Sequence, residues 1–427
     1  MLALAVAAGV FAGTAYVGVR NIIEDHGASQ PAPSSTPGDA EAAVRRAATG
    51  DAVLERLATA IQDGDRSAYN AVIDPDSAGF QDSAEQVYDN LRALPVASLA
   101  MRYVSDETLP AERLRQLGGT AWLADVEVSW QLREYDQEPV RITVPMTLVT
   151  RSGTTYVASY SDPTGQTLRK PSWLLGRLRI AHGDRSLVVS TDPDADIQAY
   201  AQVVDKAIAD VSTVWGSNWK RHVVLYLPGS QSQMEYILGV KQRSYGQIAA
   251  VTTAEAAQRV PGVPIRILVN PKLFARLTPQ GRRIVLTHET THVASSATAS
   301  PVPLWLAEGF ADYVAFSMVK VSLQSAANEL FKAVRAGKGP TALPAASAFA
   351  ASSRQLTSAY ESSWLACRMI ADKYGRAKLV AFYRAVHMGD PVTGLRDAFR
   401  TKLGITQERF VADWRQYLQG LARQGAG

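Results

Sequence analysis

The sequence predicts an α+β protein in which strands come first and a mostly helical half follows. Apolar residues alternate with polar ones over residues 122–132 and again over 140–148, the period of two that half-buried strands require. From residue 278 onward, apolar residues recur at helical spacing in nearly every segment. The chain has 427 residues, of which 47% are hydrophobic, so it can bury the cores of two soluble domains.

Residues 1–20 predict a membrane anchor or a signal segment. Residues 1–19 carry no charge, and as a helix they would span about 28 Å, close to the roughly 30 Å hydrocarbon core of a bilayer. We therefore expect an N-terminal transmembrane helix and a single-pass cell-membrane protein whose remaining chain lies outside the cytoplasm. Cleavage of the segment would instead give a secreted protein. Residues 21–40, rich in Pro and Ser, predict a flexible linker.

Residues 41–168 predict a small α+β domain. A helical stretch ends at the Asp-Gly-Asp of residues 63–65, and the alternating strands follow, with a third strand over residues 156–160. Helices followed by long antiparallel strands resemble the cone-shaped nuclear-transport-factor-2-like fold. No convergent group of titratable side chains is evident in this part of the sequence. We therefore expect a domain that supports the rest of the chain or binds a protein partner.

Residues 170–427 predict a second domain. Strands over residues 186–190 and 222–227 flank a helix over residues 197–215. A further strand, residues 265–271, is rich in β-branched residues and ends in Asn-Pro, which is typical of a strand followed by a turn. Strands thus precede the first long helix of the C-terminal half.

Residues 288–292 read His-Glu-Thr-Thr-His, which has the form of a zinc-hydrolase site. Two histidines four apart on a helix lie on one face, so the imidazoles of His288 and His292 can bind one Zn²⁺. Glu289 would then stand beside the metal as a general base. The same pattern also occurs on solvated helix faces, so the surrounding sequence decides between the two interpretations.

Two predicted helices supply that surrounding sequence. Thr278 followed by Pro279 is typical of the N-cap and first position of a helix, which continues through both histidines. A second helix is predicted over residues 304–315, where Glu308 and Asp312 share a face among apolar residues. A carboxylate there is costly unless it is paired or bound to a metal. We therefore predict Glu308 as the third zinc ligand and Asp312 as the acceptor for the second N–H of a ligand histidine.

Together these helices resemble those of the gluzincin metallopeptidases. Residues 305–313, Trp-Leu-Ala-Glu-Gly-Phe-Ala-Asp-Tyr, are similar to the helix that carries the glutamate ligand in the aminopeptidase N-like branch. The resemblance covers roughly residues 185–420, is sharp over 284–315, and is better to the peptidase MA-like bacterial proteins. It implies a gluzincin (thermolysin-like) fold with Zn²⁺ as cofactor. It also implies the same roles for His288, His292, Glu308 and Glu289.

The chain departs from the aminopeptidases in two respects. The stretch between His292 and Glu308 is shorter than in those enzymes. Upstream of it there is no GxMEN-type segment, which the aminopeptidases use to hold the amino terminus of a substrate. These two departures favour an endopeptidase over an aminopeptidase.

The resemblance also implies a donor for the oxyanion and a surface for the substrate. Gluzincins usually supply a Tyr or His from the helical region after the ligands. We predict Tyr360 for this role, with Tyr383 and His387 as alternatives; taken alone, residues of this kind on an amphipathic helix are more often part of the core. In gluzincins an edge strand pairs with the extended peptide, and residues 265–271 are expected to be that strand here.

The charge balance narrows the range of partners. The chain has 44 Lys and Arg against 40 Asp and Glu, and this net charge of +4 is too small to indicate nucleic-acid binding. Arg266, Arg282 and Arg283 lie near the predicted cleft, where they would either attract acidic substrates or form solvated surface.

Two functional classes fit these observations. The first is a membrane-anchored, extracytoplasmic zinc metallopeptidase that acts on a peptide or protein substrate. The second is a cell-envelope protein that uses the same domain for binding and hydrolyses nothing. The intact Glu289 favours the first class, because a general base is needed only for hydrolysis.

Overall fold

A computed structural model of the chain describes residues 37–118, 120–161, 169–240, 249–254, 262–350 and 353–424. In these ranges the protein is α+β, as predicted. Two sheets come first along the chain, and a mostly helical region follows.

The prediction of a transmembrane helix is wrong. Residues 1–20 lie outside the described residues, and within the ranges given above no helix is both long enough and apolar enough to cross a membrane. This finding contradicts the expected single-pass membrane localisation. It also contradicts the expectation that an N-terminal helix attaches the protein to the membrane.

The N-terminal part is built on an antiparallel sheet with the strand order β1-β2-β3-β4. Its strands are β1 (Val96–Glu107), β2 (Thr120–Leu132), β3 (Val140–Arg151) and β4 (Thr154–Ser159). Its helices are α1 (Pro37–Asp63), α2 (Arg66–Asn70), α3 (Ala78–Ala93) and α4 (Ala111–Leu117). The sequence predicts β2, β3 and β4, but β1 escapes prediction because its buried residues alternate irregularly.

The period of two in β2 and β3 produces the core of this part. Trp122 lies opposite Leu148 and Trp130 opposite Val140, and all four side chains are buried. Helix α1 covers this face, with Leu54 fully buried in the same cluster. Helices α1, α2 and α3 therefore precede the sheet along the chain, while α4 lies between β1 and β2.

The second sheet has the strand order β5-β6-β7-β9-β8. Its strands are β5 (Arg179–His182), β6 (Ser186–Ser190), β7 (Val223–Leu227), β8 (Ala250–Ala254) and β9 (Ile265–Val269). The three inner strands are parallel, and both outer strands pair antiparallel with their neighbours. Helix α5 (Ile197–Trp215) connects β6 to β7, and α6 (Gln231–Leu238) follows β7. The strands and the helix between residues 186 and 227 lie where the sequence predicts them.

The edge of this sheet is not the strand that the sequence indicates. Residues 265–271 are expected to form the edge, but β9 is hydrogen-bonded to β7 on one side and to β8 on the other. Because β8 pairs antiparallel with the other side of β9, β8 is the last strand at this end of the sheet among the described residues, and β5 is the last strand at the other end. Strand order depends on contacts between segments that are far apart in the chain. The composition of residues 265–271 contains no information about those contacts.

The remaining described residues are mostly helical. The helices are α7 (Pro271–Phe274), α8 (Pro279–Ser295), α9 (Leu304–Ser317), α10 (Leu323–Ala326), α11 (Asn328–Arg335), α12 (Leu356–Tyr374), α13 (Arg376–His387), α14 (Gly394–Ala398) and α15 (Gln407–Gln424). Their core contains large aromatic side chains, among them Trp305, Phe310, Trp364, Phe382 and Trp414, all of them buried. This confirms the prediction that the C-terminal half is mostly helical.

A buried ion pair joins the two sheets. Nη1 and Nη2 of Arg266 in β9 donate hydrogen bonds to Oδ1 and Oδ2 of Asp136 at 2.7 and 2.8 Å. Asp136 lies in the turn after β2 and also accepts from the backbone N–H of Leu132. Arg266 is only 1% exposed, so it neither attracts substrate nor forms solvated surface. Arg283 is paired as well, with Asp210.

Candidate metal centre

Helix α8 carries both candidate histidines, and its local sequence explains its position. The Thr278 side chain accepts a hydrogen bond from the backbone N–H of Gly281, and Pro279 occupies the first turn, as the sequence predicts. The helix ends where Ser296 adopts a left-handed conformation with φ of 50°. His288 and His292 lie one turn apart, and both are buried.

Helix α9 carries the two candidate carboxylates. It begins after Pro303 and buries almost its whole circumference, as its apolar sequence requires. Glu308 and Asp312 lie one turn apart on it and are 0% and 1% exposed. Two carboxylates at this depth need partners or a cation.

The structure brings the three predicted ligands together. Nε2 of His288 lies 3.1 Å from Oε2 of Glu308 and 3.0 Å from Nε2 of His292. The third side of this triangle, from His292 Nε2 to Glu308 Oε2, is 3.4 Å. Three atoms at these separations can all lie about 2.0–2.1 Å from one point, which is the distance at which zinc binds nitrogen and oxygen ligands.

The chemistry of the three atoms also fits a cation. Neutral imidazole nitrogens and a carboxylate oxygen present lone pairs, and lone pairs at this separation repel one another unless a cation or a proton lies between them. Oε1 of Glu308 is buried without a hydrogen-bond partner among the described residues. Such an orphaned carboxylate oxygen is costly in a site that contains protein atoms alone. The residues present therefore fit a bound Zn²⁺.

Asp312 contacts the nitrogen of His288 that faces away from the other two candidate ligands. Its Oδ1 is 2.8 Å from Nδ1 of His288. Because an ionised carboxylate only accepts, this bond places a ring proton on Nδ1 and leaves Nε2, which faces Glu308 and His292, as the nitrogen that a metal would bind.

The charges of the group stabilise one another. Burial alone would lower the pKa of His288, but the neighbouring Asp312 and Glu308 outweigh it and raise that pKa well above its ordinary value. Burial would raise the pKa of Glu308, yet His292 and His288 outweigh burial and lower it to about 2. Glu308 is therefore an anion at neutral pH, as a metal ligand must be.

Glu289 lies beside this group and is 1% exposed. Its Oε2 accepts a hydrogen bond of 2.6 Å from the hydroxyl of Thr252 in the edge strand β8. Its Oε1 is buried with no partner in the described part of the chain. Burial raises the pKa of Glu289 above its ordinary value, which is the direction that suits a carboxylate acting as a base near neutral pH.

Helix α12 places Tyr360 against the same group. The Tyr360 side chain is 1% exposed, and its ring centroid lies 6.4 Å from that of His288. The other side of the ring meets Phe349, which lies in the Ala/Ser-rich stretch before α12. Helix α12 comes this close to α9 because residue 309 is glycine. A Cβ at that position would lie 2.3 Å from the backbone oxygen of Ser363.

The two alternative donors have other contacts. Tyr383 packs between Trp215 and Phe310 in the core, and its hydroxyl donates to Ser295. Nδ1 of His387 lies 2.7 Å from the hydroxyl of Ser300. Of the three candidates, Tyr360 is therefore the one with a ring contact to a predicted ligand.

Two residues of the site escape the sequence analysis. Thr252 lies far upstream of the His-Glu-Thr-Thr-His segment, and no pattern around it points to the base. Gly309 is visible in the sequence, since a glycine beside a buried carboxylate in a helix indicates a close backbone approach. Its partner, Ser363, is set only by the packing of α9 on α12.

Comparisons with known proteins give a weak structural likeness. No protein-family profile matches the chain, and no curated protein matches it. The chain is similar to a mutant of an M1 zinc metallopeptidase from Deinococcus radiodurans, with 15% identity and a TM-score of 0.33, over 74% of this chain and 61% of that one. It is also similar to a two-domain M1 zinc metallopeptidase mutant bound to L-tryptophan, with 17% identity and a TM-score of 0.31, over 63% and 58% of the two chains. The chain thus spans about three fifths of the length of these metallopeptidases. At such TM-scores the likeness carries no detail of the site.

Proposed function

We propose that this protein is a zinc-dependent metallopeptidase that hydrolyses peptide bonds. The observation that carries the proposal is the convergence of His288, His292 and Glu308, whose candidate ligand atoms all lie within 4.8 Å of one another. Glu289 lies beside them with one carboxylate oxygen held by Thr252. Three protein ligands and an adjacent carboxylate form the arrangement that metal-assisted hydrolysis requires.

The zinc ligands in this proposal are His288, His292 and Glu308, with Asp312 orienting His288. A bound zinc ion would act as a Lewis acid toward the peptide carbonyl and lower the pKa of water from 15.7 toward about 7. The apolar surroundings on α9 exclude bulk water from the ligands, which strengthens every electrostatic interaction in the site.

The remaining steps belong to side chains of this protein. The carboxylate of Glu289 takes a proton from the attacking water as the oxygen bonds to the carbonyl carbon. The same carboxyl group then gives the proton to the amide nitrogen, and the carbon–nitrogen bond breaks to release the amine. The hydroxyl of Tyr360 donates a hydrogen bond to the oxyanion that forms on the former carbonyl oxygen.

We propose β8 as the surface that receives the substrate. One side of this strand pairs with β9, and the other is the edge of the sheet, where an extended peptide can add as a further strand. The side chain of Thr252 ties β8 to Glu289, so a peptide on this edge lies next to the base. Backbone pairing recognises an extended peptide and does not require its amino terminus. An endopeptidase is therefore favoured over an aminopeptidase.

We also propose that residues 41–168 form a support domain for a peptidase domain of residues 170–427. The buried pair between Asp136 and Arg266 ties the first part to β9, the strand next to the edge. One hydrophobic cluster continues from Trp130 in the first sheet to Leu268 in the second. A protein partner of the support domain stays a prediction.

The test combines metal analysis with a matched pair of variants. Glu289→Gln is expected to keep one zinc ion per chain and to lose peptide hydrolysis by about 10²–10⁴-fold, because it removes the base alone. Glu329→Gln is the control, since Glu329 is exposed and its carboxylate contacts Lys332 and Asn328 on the surface of α11. Its hydrolysis of a quenched-fluorescence peptide library is expected to equal that of the native protein.

Three outcomes would contradict the proposal. A native protein that binds no zinc would remove the site assignment and the mechanism together. Unchanged hydrolysis by Glu289→Gln would remove the role of the base. A native protein that binds zinc but cleaves no peptide would favour the second candidate, a binding protein that hydrolyses nothing.

A further inference from the structure

We infer that Thr252 is a positioning residue for the general base: it holds Oε2 of Glu289, so that Oε1 is the oxygen that takes the proton. The inference rests on the proposed function and deepens it, because it names the reacting atom and the side chain that presents it. No feature of the sequence around residue 252 points to this role.

The Thr252 hydroxyl makes short, buried contacts with two oxygen atoms of Glu289. The Thr252 hydroxyl lies 2.6 Å from Oε2 of Glu289 and 3.1 Å from the backbone carbonyl oxygen of the same residue. Thr252 is 7% exposed and Glu289 is 1% exposed. The single hydroxyl proton favours the carboxylate, because a hydrogen bond to an ionised acceptor is shorter and stronger than one to a neutral carbonyl. The backbone carbonyl oxygen of Glu289 is held in place by α8, and its contact fixes the position of the Thr252 hydroxyl.

Threonine suits this task better than a more mobile side chain. Its branched Cβ leaves few χ1 rotamers on a strand, so the hydroxyl direction follows from the backbone of β8. Only one carboxylate oxygen is engaged: Oε1 of Glu289 is buried without a hydrogen-bond partner among the described residues. A carboxylate with one oxygen tied down presents the other in one orientation, which is what proton transfer requires.

The position of Thr252 on the edge strand has a further consequence. The strand proposed to receive the substrate is also the strand that holds the base. The distance between the peptide backbone and Glu289 is then set by one element, β8, rather than by the packing of several. A misplacement of about 1 Å in such a constellation costs on the order of a hundredfold in rate.

The first test uses three variants of the zinc-loaded protein. Thr252→Val keeps the shape and removes the hydroxyl; we expect kcat to fall by about 10- to 100-fold, with KM and zinc content within about twofold of the native values. Thr252→Ser keeps the hydroxyl and is expected to restore most of kcat. Thr49→Val is the control, because Thr49 is exposed on α1 and its hydroxyl donates to backbone oxygens of that same helix, outside the proposed site.

Equal kcat values for Thr252→Val and Thr49→Val would overturn the inference. So would a loss in Thr252→Val that appears in KM alone, since a positioned base acts on the chemical step. A loss that Thr252→Ser shares in full would also overturn it, because the methyl group and not the hydroxyl would then matter.

The second test needs no catalysis and uses metal-free protein. In a double-mutant cycle on unfolding, Thr252→Val is expected to raise the unfolding equilibrium constant by about tenfold in the native background. In the Glu289→Met background the same change is expected to have an effect at least about fivefold smaller, since only the bond to the backbone oxygen is lost. Equal effects in both backgrounds would show that the carboxylate contact is absent. Failure of the native protein to hydrolyse peptides would overturn the proposed function, while the cycle would still decide the contact by itself.

Discussion

Oδ1 of Asp312 lies 2.8 Å from Nδ1 of His288, and the two residues come from different helices, α9 and α8. This bond fixes the rotation of the His288 ring, so that its other nitrogen faces Glu308 and His292. The geometry of the proposed metal site therefore depends on how α9 packs on α8, as well as on the spacing of the two histidines.

Replacement of Asp312 tests that dependence. Asp312→Ala is expected to weaken zinc binding by about 10- to 100-fold, because the ring of His288 loses the partner that sets its orientation and its proton. A competition titration with a zinc chelator at fixed pH measures the change. Asp372→Ala serves as the control, since Asp372 lies on the exposed side of α12. Equal zinc affinity in the two variants would show that Asp312 does not orient a ligand.

Removal of one hydroxyl tests the oxyanion donor. Tyr360→Phe is expected to lower kcat by about 10²–10³-fold with little change in KM or zinc content, since the hydroxyl would act only when the oxyanion forms. Tyr383→Phe is the matched control, because Tyr383 donates to Ser295 within the core. Normal turnover in Tyr360→Phe would rule out its role. A loss found in Tyr383→Phe alone would transfer the role to that residue.

The close approach of α9 and α12 can be tested at Gly309. A Cβ at this position would lie 2.3 Å from the backbone oxygen and 2.5 Å from the carbonyl carbon of Ser363, and neither atom can move without shifting α12. Gly309→Ala is therefore expected to reduce the free energy of unfolding by about 1–3 kcal/mol, measured by chemical denaturation. It should also lower kcat, since Tyr360 moves with α12.

Gly420→Ala is the control for Gly309→Ala, because a side chain at position 420 has room. Nothing lies within 4 Å of a Cβ at that position, and the residue is inside the helix α15. This variant is expected to be as stable as the native protein or up to about 1 kcal/mol more stable, because alanine favours a helix. Equal stability of the two alanine variants would show that the contact at Gly309 is looser than the structure indicates.

The buried carboxyl group of Glu361 predicts that the stability of the protein depends on pH. Its carboxylate accepts hydrogen bonds from the backbone N–H groups of Leu330 and Glu329 at the start of α11. Burial raises the pKa of Glu361 from its ordinary value of 4.5 to about 7, against the opposing effect of those two N–H groups. Lys332 lowers this pKa further and the Glu329 carboxylate raises it, but burial dominates.

The sign follows from the raised pKa. The folded protein binds the proton more tightly than the unfolded chain, so the contribution is fully present below about pH 4.5 and is lost as the pH rises through about 7. At about 1.4 kcal/mol per pKa unit, the loss is at most about 3 kcal/mol. Denaturation from pH 5 to pH 8 should therefore show a steeper fall in stability for the native protein than for Glu361→Gln. Identical pH profiles would mean that Glu361 titrates in its ordinary range.

Much of the site could be predicted because its members lie close together along two helices. A spacing of four residues places His288 beside His292 and Glu308 beside Asp312 wherever those helices pack. The apolar neighbours of Glu308 signal burial, and a buried carboxylate signals a partner or a cation. Tyr360 needed the gluzincin resemblance, since its own sequence context is equally that of a core aromatic.

The sequence by itself determined the helices α8 and α9, the strands at residues 122–148, and the spacing of four that places His288 beside His292 and Glu308 beside Asp312. These features depend on the period of side chains along one segment, which a sequence displays directly. Only the tertiary structure decided that β8 rather than β9 is the edge strand and that Thr252 holds Glu289. It also decided that Arg266 is buried against Asp136. Each of these is a contact between segments far apart in the chain, and its geometry is fixed by packing rather than by local spacing.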